Sequence, residues 1–282
     1  MEAARPAAAL ALPTDLEAFA ARRGADVRIT CVDAPIPEVP RSNLLFDSQG
    51  LWRVYSHPRG RLYTFRAPMG AEVTRGLLLD EAWQRGTLYM PEEEDRQRPG
   101  FAFFHPLAEL VFQHHLAWHQ ALVLHASGVL LDGHALLFCG TSGAGKTTLS
   151  QLWGRRRPDD TVLSDDRVVL RHRRGRPWAD GTPWSGQGRL ASTASGPLAA
   201  VFFIEHGPDN VVTRCAPAAA AAELLARSFP PPWDARALGR ALDTCAGATK
   251  KVPVYRLSFR PDPSVVDTVI ETVADVRSKR RG

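Results

Sequence analysis

The sequence predicts an α/β protein: a mixed core laid out around a strand, a glycine-rich turn and a helix, preceded by a smaller β-rich α+β segment. Three observations carry this. Ala135-Leu-Leu-Phe-Cys139 is a short apolar run of the kind that forms a buried strand. Gly140-Thr-Ser-Gly-Ala-Gly-Lys-Thr147 follows at once, and the next residues bring Leu149, Leu152 and Trp153 onto one helical face. Further upstream, Val27–Val32, Leu44–Phe46, Leu51–Tyr55 and Arg61–Phe65 are brief β-prone runs separated by turn signals such as Asp47-Ser-Gln-Gly50 and Ser56-His-Pro-Arg-Gly60, as in an antiparallel meander.

In chain order, Met1–Pro13 is alanine-rich, has an acidic residue at position 2 and lacks a lysine-rich start before an apolar core, so a frayed start is expected rather than a secretory signal. Residues 15–24 read as a short helix and 34–40 as a proline-rich break. The charged stretch Pro91–Gly100 reads as a linker, which divides the chain into residues 1–100, a candidate substrate-recognition domain, and residues 101–282, the core. Pro106–Ala121 has helical spacing. His115 and His119 share a helix face there, but Leu116 stands where the metalloprotease motif needs Glu. Leu122–Leu131 reads as two strand segments broken at His125-Ala-Ser-Gly128, with Asp132-Gly133 turning the chain into the next strand. Thr161–Leu170 is a strand interrupted by Asp165 and Asp166. Gly181–Pro197 reads as a mobile Gly/Ser/Thr loop, 198–204 as a buried strand, 217–228 and 234–245 as helices, 250–259 as a strand and Ser264–Val273 as a closing amphipathic helix.

Composition bounds the class. Hydrophobic residues make up 44% and charged residues 23%, ordinary for a soluble globular protein, and no apolar run reaches the ~20 residues of a membrane span. The cysteines, Cys31, Cys139, Cys215 and Cys245, are scattered and form no C-x-x-C pair, which suits a reducing cytoplasm. The net charge of +5 is largely arginine, 31 of the 35 basic residues. The clusters at 155–157, 171–176 and 279–281 lie in no nucleic-acid motif, so no specific nucleic-acid partner is expected.

Gly140 to Thr147 spell G-x-x-x-x-G-K-T, the phosphate-binding loop. Gly140, Gly143 and Gly145 let backbone approach phosphate oxygens, and the amides through Ser142, Ala144 and Thr148 lead into a helix N-terminus that favours an anion. Lys146 supplies charge to the β- and γ-phosphates, and the Thr147 hydroxyl can ligate Mg²⁺. Two adjacent carboxylates in an apolar run need a reason, since buried charge is costly. A Mg²⁺–nucleotide supplies one, with one carboxylate serving the metal and the other accepting a proton; an exposed turn or an ion pair with Arg167 is the alternative. His125, just upstream, is a candidate to reach a transferred phosphoryl group or a histidine satisfied within a turn, and Arg189 is a candidate phosphate clamp.

Together, His125-Ala-Ser-Gly-Val129, Gly140–Thr147 and Ser164-Asp-Asp-Arg167 resemble the HPr kinase/phosphorylase and phosphoenolpyruvate carboxykinase superfamily over about residues 105–260. That resemblance implies a mixed-sheet P-loop kinase core behind a small N-terminal domain. It gives Lys146 and Thr147 the nucleotide phosphates and Mg²⁺, His125 the transferred phosphate, Asp165 the role of general base and Asp166 a place beside the metal. The Glu-Leu-Arg-Gly and Pro-Val-x-x-Gly-Arg-Asn segments of true HPr kinases are absent. The likeness therefore runs to divergent HPr-kinase-like proteins, some of which phosphorylate a serine on a ribosomally made peptide. The expectation is an ATP–Mg²⁺ kinase acting on a hydroxyl of a peptide or small protein. A small-molecule kinase and a nucleotide-binding regulatory module are the alternatives. Family members are often oligomeric, which leaves a homo-oligomer open.

Overall fold

The computed structural model describes residues 14–20, 24, 26–66, 72–91 and 106–279. The alanine-rich start, the linker from residue 92 onward and residues 280–282 of the basic tail lie outside them. The chain forms two compact units, Met1–Val111 and Phe112–Gly282. Both sheets are mixed, and five α-helices occur among the described residues.

The first unit carries a six-stranded sheet. Its strands are β1 (Arg28–Val32), β2 (Leu44–Asp47), β3 (Trp52–His57), β4 (Gly60–Arg66), β5 (Val73–Leu79) and β6 (Arg85–Tyr89), in the order β1-β6-β5-β4-β3-β2. All neighbours are antiparallel except β1 and β6. The expected meander is β2 to β4, and the mixed stretch 72–87 supplies two more strands. Val54, Leu62, Tyr63, Leu77, Leu79 and Leu88 are fully buried, and the consecutive buried residues 62–65 of β4 and 76–79 of β5 show these central strands to be buried on both faces. Residues 14–19 form a 3-10 helix at the start of the stretch expected to be helical, of which residues 21–23 lie outside the described ones.

The second unit opens with α1 (Leu107–Trp118), within which the division between units falls. Its strands are β7 (Ala121–Leu131), β8 (His134–Cys139), β9 (Thr161–Ser164), β10 (Arg167–Arg173), β11 (Arg176–Gly181), β12 (Ser195–His206), β13 (Val211–Arg214) and β14 (Val254–Phe259). The order is β11-β10-β7-β8-β12-β14-β13, with β9 paired to β7. Strands β8, β12 and β14 run parallel and carry the apolar runs of fully buried strands. Helices α2 (Lys146–Arg156) and α5 (Ser264–Lys279) cover one face through Leu149, Trp153, Val265 and Val269. Helices α3 (Pro217–Leu225) and α4 (Ala235–Lys251) cover the other through Ala220, Leu224, Ala241 and Ala248. Asp234 caps α4, its side chain accepting from the amides of Arg236 at 3.0 Å and Ala237 at 3.1 Å.

Strand β7 is continuous where the sequence suggested a break. The expected interruption is a change of partner: residues 121–125 pair with β10, whereas 126–131 pair with β8 and 128–130 with β9. Gly128 sits at the exchange, where a Cβ would lie 3.2 Å from the side chains of both Leu137 and Val168. Asp132 and Gly133, with φ of 50° and 73°, close the β7–β8 hairpin as a two-residue turn of positive dihedrals. Helix α3 stops at Leu225 rather than 228, because the next residues pair along β7. There Ser228 bridges Leu124, and the His125 amide donates to the Arg227 carbonyl at 2.8 Å.

Candidate active site

The phosphate-binding loop leaves the C-terminal end of β8, which has the antiparallel β7 on one side and the parallel β12 on the other. That placement is the usual one for ligand sites in α/β sheets. Gly143 and Gly145 take φ of 80° and 97°, which L side chains rarely adopt. A Cβ on Gly145 would also lie 2.6 Å from the Phe259 ring and 3.2 Å from His206. The loop is therefore seated against the ends of two neighbouring strands. His206, the last residue of β12, donates from Nε2 to the Gly143 carbonyl at 2.8 Å.

Lys146 begins α2 and is 6% exposed. Its ammonium donates to the carbonyls of Gly140 at 3.2 Å and Thr141 at 3.1 Å, and its third N–H remains for an anion. Burial pulls it below the usual lysine range, opposed by the Asp166 carboxylate 3.9 Å away.

The acidic pair occupies the bend between β9 and β10. Ser164 Oγ accepts from the amides of Asp166 and Arg167, each at 3.2 Å, and this local turn separates the two side chains. Asp165 is 0% exposed. Its Oδ1 accepts from the amides of Gly186 at 2.8 Å and Leu190 at 3.3 Å, and its Oδ2 from the Gly188 amide at 2.8 Å and the Thr147 hydroxyl at 3.1 Å. Asp166 is 26% exposed. The His125 Nε2–H donates to its Oδ1 at 3.1 Å, and Arg167 donates to its Oδ2 from Nη1. Burial works to raise the Asp166 carboxyl. The His125 hydrogen bond and the charges of Arg167, His125 and Lys146 outweigh it and hold the group below the usual carboxylate range. In the β7–β10 register His125 stands opposite Arg167, and the guanidinium lies 4.7 Å over the Phe229 ring.

These groups meet in one cavity of about 660 Å³, lined by Ser142, Gly143, Gly145, Lys146, Thr147 and Thr148 on the loop side. His125, Asp166, Arg167, Gly186, Gln187 and His206 line the rest. Of the predicted residues, Gly140 and Ala144 lie behind the loop, where they take part in the Lys146 anchor and the α2 core. Asp165 lies beneath the cavity and does not line it. Arg189 is exposed and is not among the residues that line the cavity. Within the 181–197 segment, expected to be a mobile loop, the amides of Gly186, Gly188 and Leu190 donate to Asp165. His115 and His119 have ring centroids 4.4 Å apart, but no group of three metal-ligating side chains occurs among the described residues.

The donor set suits a magnesium ion carried in on phosphates rather than one caged by protein. The single proton of the Thr147 hydroxyl goes to Asp165, which leaves the oxygen's lone pairs for a metal; Asp165 would then stand behind that oxygen as an outer-shell carboxylate.

Three cavity residues had weaker signals in the sequence. His206 ends an apolar parallel strand at its C-terminal end, where ligands gather. Arg167 follows the acidic pair directly, and Gln187 stands between two glycines. No family model matches the chain, and a search of curated proteins finds none similar to it. Among solved structures, the Hpr(Ser) kinase/phosphatase from Coxiella burnetii is similar at a TM-score of 0.34 and 13% identity, over 57% of this chain and 99% of that one. A likeness of that degree carries no argument about function.

Proposed function

We propose that the protein is an ATP–Mg²⁺-dependent phosphotransferase that moves the γ-phosphoryl group to a hydroxyl, with a peptide or small protein as acceptor. The observation that carries this reading is the meeting of Lys146 and Thr147 with the His125–Asp166 pair around a single cavity. Binding alone calls for the loop; a carboxylate facing it across the cavity supports transfer.

Positioning and charge neutralisation do most of the work in such a reaction. The loop amides and Lys146 hold the phosphates, and Mg²⁺ held at Thr147 would supply further charge neutralisation. The acceptor oxygen forms a bond to γ-phosphorus as the bridging P–O bond to the nucleoside diphosphate breaks. The acceptor's proton passes to a carboxylate. The resemblance gave that role to Asp165 and the metal to Asp166; the geometry supports the reverse. Asp165 is fully buried and has no face on the cavity. Asp166 opens onto the cavity, where its lowered carboxyl is ionised at neutral pH and faces the phosphate-binding loop. His125 orients it. The first unit is the candidate for acceptor recognition.

The test is transfer of ³²P from γ-labelled ATP to hydroxyl peptides and to a panel of hydroxylated metabolites. Asp166→Asn is expected to lower transfer by about 10²–10⁴-fold with nucleotide affinity retained. Labelling of metabolites alone would favour a small-molecule kinase. Tight nucleotide binding with no transfer to any acceptor would leave a regulatory module.

A further inference from the structure

We propose that Gly186 and Gly188 are positioning residues for the metal–phosphate end of the cavity, acting through Asp165, and that the turn they form is latched by that carboxylate. The metal half of the proposal rests on the phosphotransferase reading; the latch does not.

A buried carboxylate normally needs a cation. All four hydrogen bonds to Asp165 come instead from neutral donors: three backbone amides of one short segment and the Thr147 hydroxyl. Amides converging on an anion form a nest. Here the anion belongs to the chain itself, and charge-assisted bonds of this type are roughly twice as strong as neutral ones. The turn closes on itself as well: the Arg189 amide donates to the Gly186 carbonyl at 3.1 Å, with Arg189 at φ 51°.

Space, rather than dihedral freedom, explains the two glycines. A Cβ on Gly188 would lie 2.7 Å from Asp165 Oδ2 and 2.9 Å from Thr147 Cγ2, closer than real contacts allow. A Cβ on Gly186 would lie 3.0 Å from Asp165 Oδ2 and 3.1 Å from Asp166 Cβ. Any side chain at 188 must therefore push the carboxylate away from its amides or away from Thr147. The Thr147 hydroxyl is aimed by Asp165, and Asp165 is aimed by the turn. Loss of such outer-shell support typically costs 10–100-fold in metal affinity or activity. The turn also carries Gln187 into the cavity lining, so its closure sets the position of that side chain too.

Two measurements on the full-length protein test this. The first is the affinity of a fluorescent ATP analogue, with Mg²⁺ and with EDTA. Gly188→Ala should weaken binding about 10–100-fold with Mg²⁺ and about twofold or less without it. Gly186→Ala, with more room for its Cβ, should follow the same pattern at a smaller size. Equal losses in both conditions, or none, would overturn the positioning role. The second is tryptic cleavage after Arg189, followed by mass spectrometry without added ligand. Asp165→Asn keeps the shape but turns an NH₂ toward an amide N–H, so cleavage should accelerate about tenfold or more as the turn opens. An unchanged rate would overturn the latch. Wild-type protein that binds no nucleotide would sink the phosphotransferase reading and the metal half with it, while the proteolysis would still decide the latch.

Discussion

The two walls of the cavity are built in different ways. The loop wall, Gly140–Thr148, is a continuous segment held between a buried strand and a helix that buries one face. The opposing wall is assembled from residues 125, 166–167, 186–187 and 206, which lie on four separate segments. The first wall owes its shape to chain continuity and to the apolar core beneath it: Leu149 and Trp153 at 0% exposure, with Phe138 5.7 Å from the Trp153 ring. The second owes its shape to hydrogen bonds between residues distant in sequence, such as His125 to Asp166 and the amides of 186–190 to Asp165. The two should therefore fail differently, the first by unfolding and the second by losing geometry in a folded protein.

The largest effect should come from the first wall. Trp153→Ala removes a fully buried indole that also donates from Nε1 to Asp160 at 2.9 Å. The expected loss is about 3–5 kcal/mol of stability, read by thermal or denaturant unfolding. A loss under about 1 kcal/mol, far short of the cost of emptying a packed core site, would mean that this wall does not depend on its core.

That contrast also explains what could be read from the amino-acid order. The strand, turn and helix around residue 140 are adjacent in sequence, so periodicity and one motif were enough to find them, and the cavity does hold Ser142, Gly143, Gly145, Lys146, Thr147 and Thr148. The second wall was legible only as candidates. His125 and the acidic pair stood out by residue type, but which carboxylate faces the cavity depends on the Ser164 turn and on amides twenty residues onward. No local pattern encodes that. Strand β11 and the edge strand β13 are also without a strong apolar signature: Pro177 interrupts the one and three of four residues are exposed in the other.

A smaller effect is expected on the second wall's electrostatics. Asp166 must be ionised to accept a proton, and its carboxyl lies below the ordinary 3.8, so the acid limb of transfer should fall below that value. The sign follows from linkage: a lowered carboxyl contributes stability above its unfolded value, and the contribution is lost as pH drops through the folded one. Arg167→Ala leaves burial opposed by His125 and Lys146 alone. The acid limb of kcat/KM should then move upward, with circular dichroism confirming folded protein at each pH. A limb that stays put or moves down would show that Arg167 does not hold Asp166 ionised.

The smallest effect should come from Arg189, the residue whose type and neighbours suggested a phosphate clamp. Its side chain is exposed and lies outside the cavity lining, while its backbone helps to close the turn. Arg189→Ala deletes the guanidinium and leaves the amide bond to Gly186 in place. Alanine takes φ near 51° at about the same cost as arginine, since both carry a Cβ. Nucleotide affinity and transfer rate should therefore stay within about twofold of wild type, the size of an ordinary surface substitution of ±0.5 kcal/mol. A tenfold loss in nucleotide affinity would mean that the turn swings Arg189 onto the phosphates during binding, and the second wall would then be a moving part rather than a fixed one.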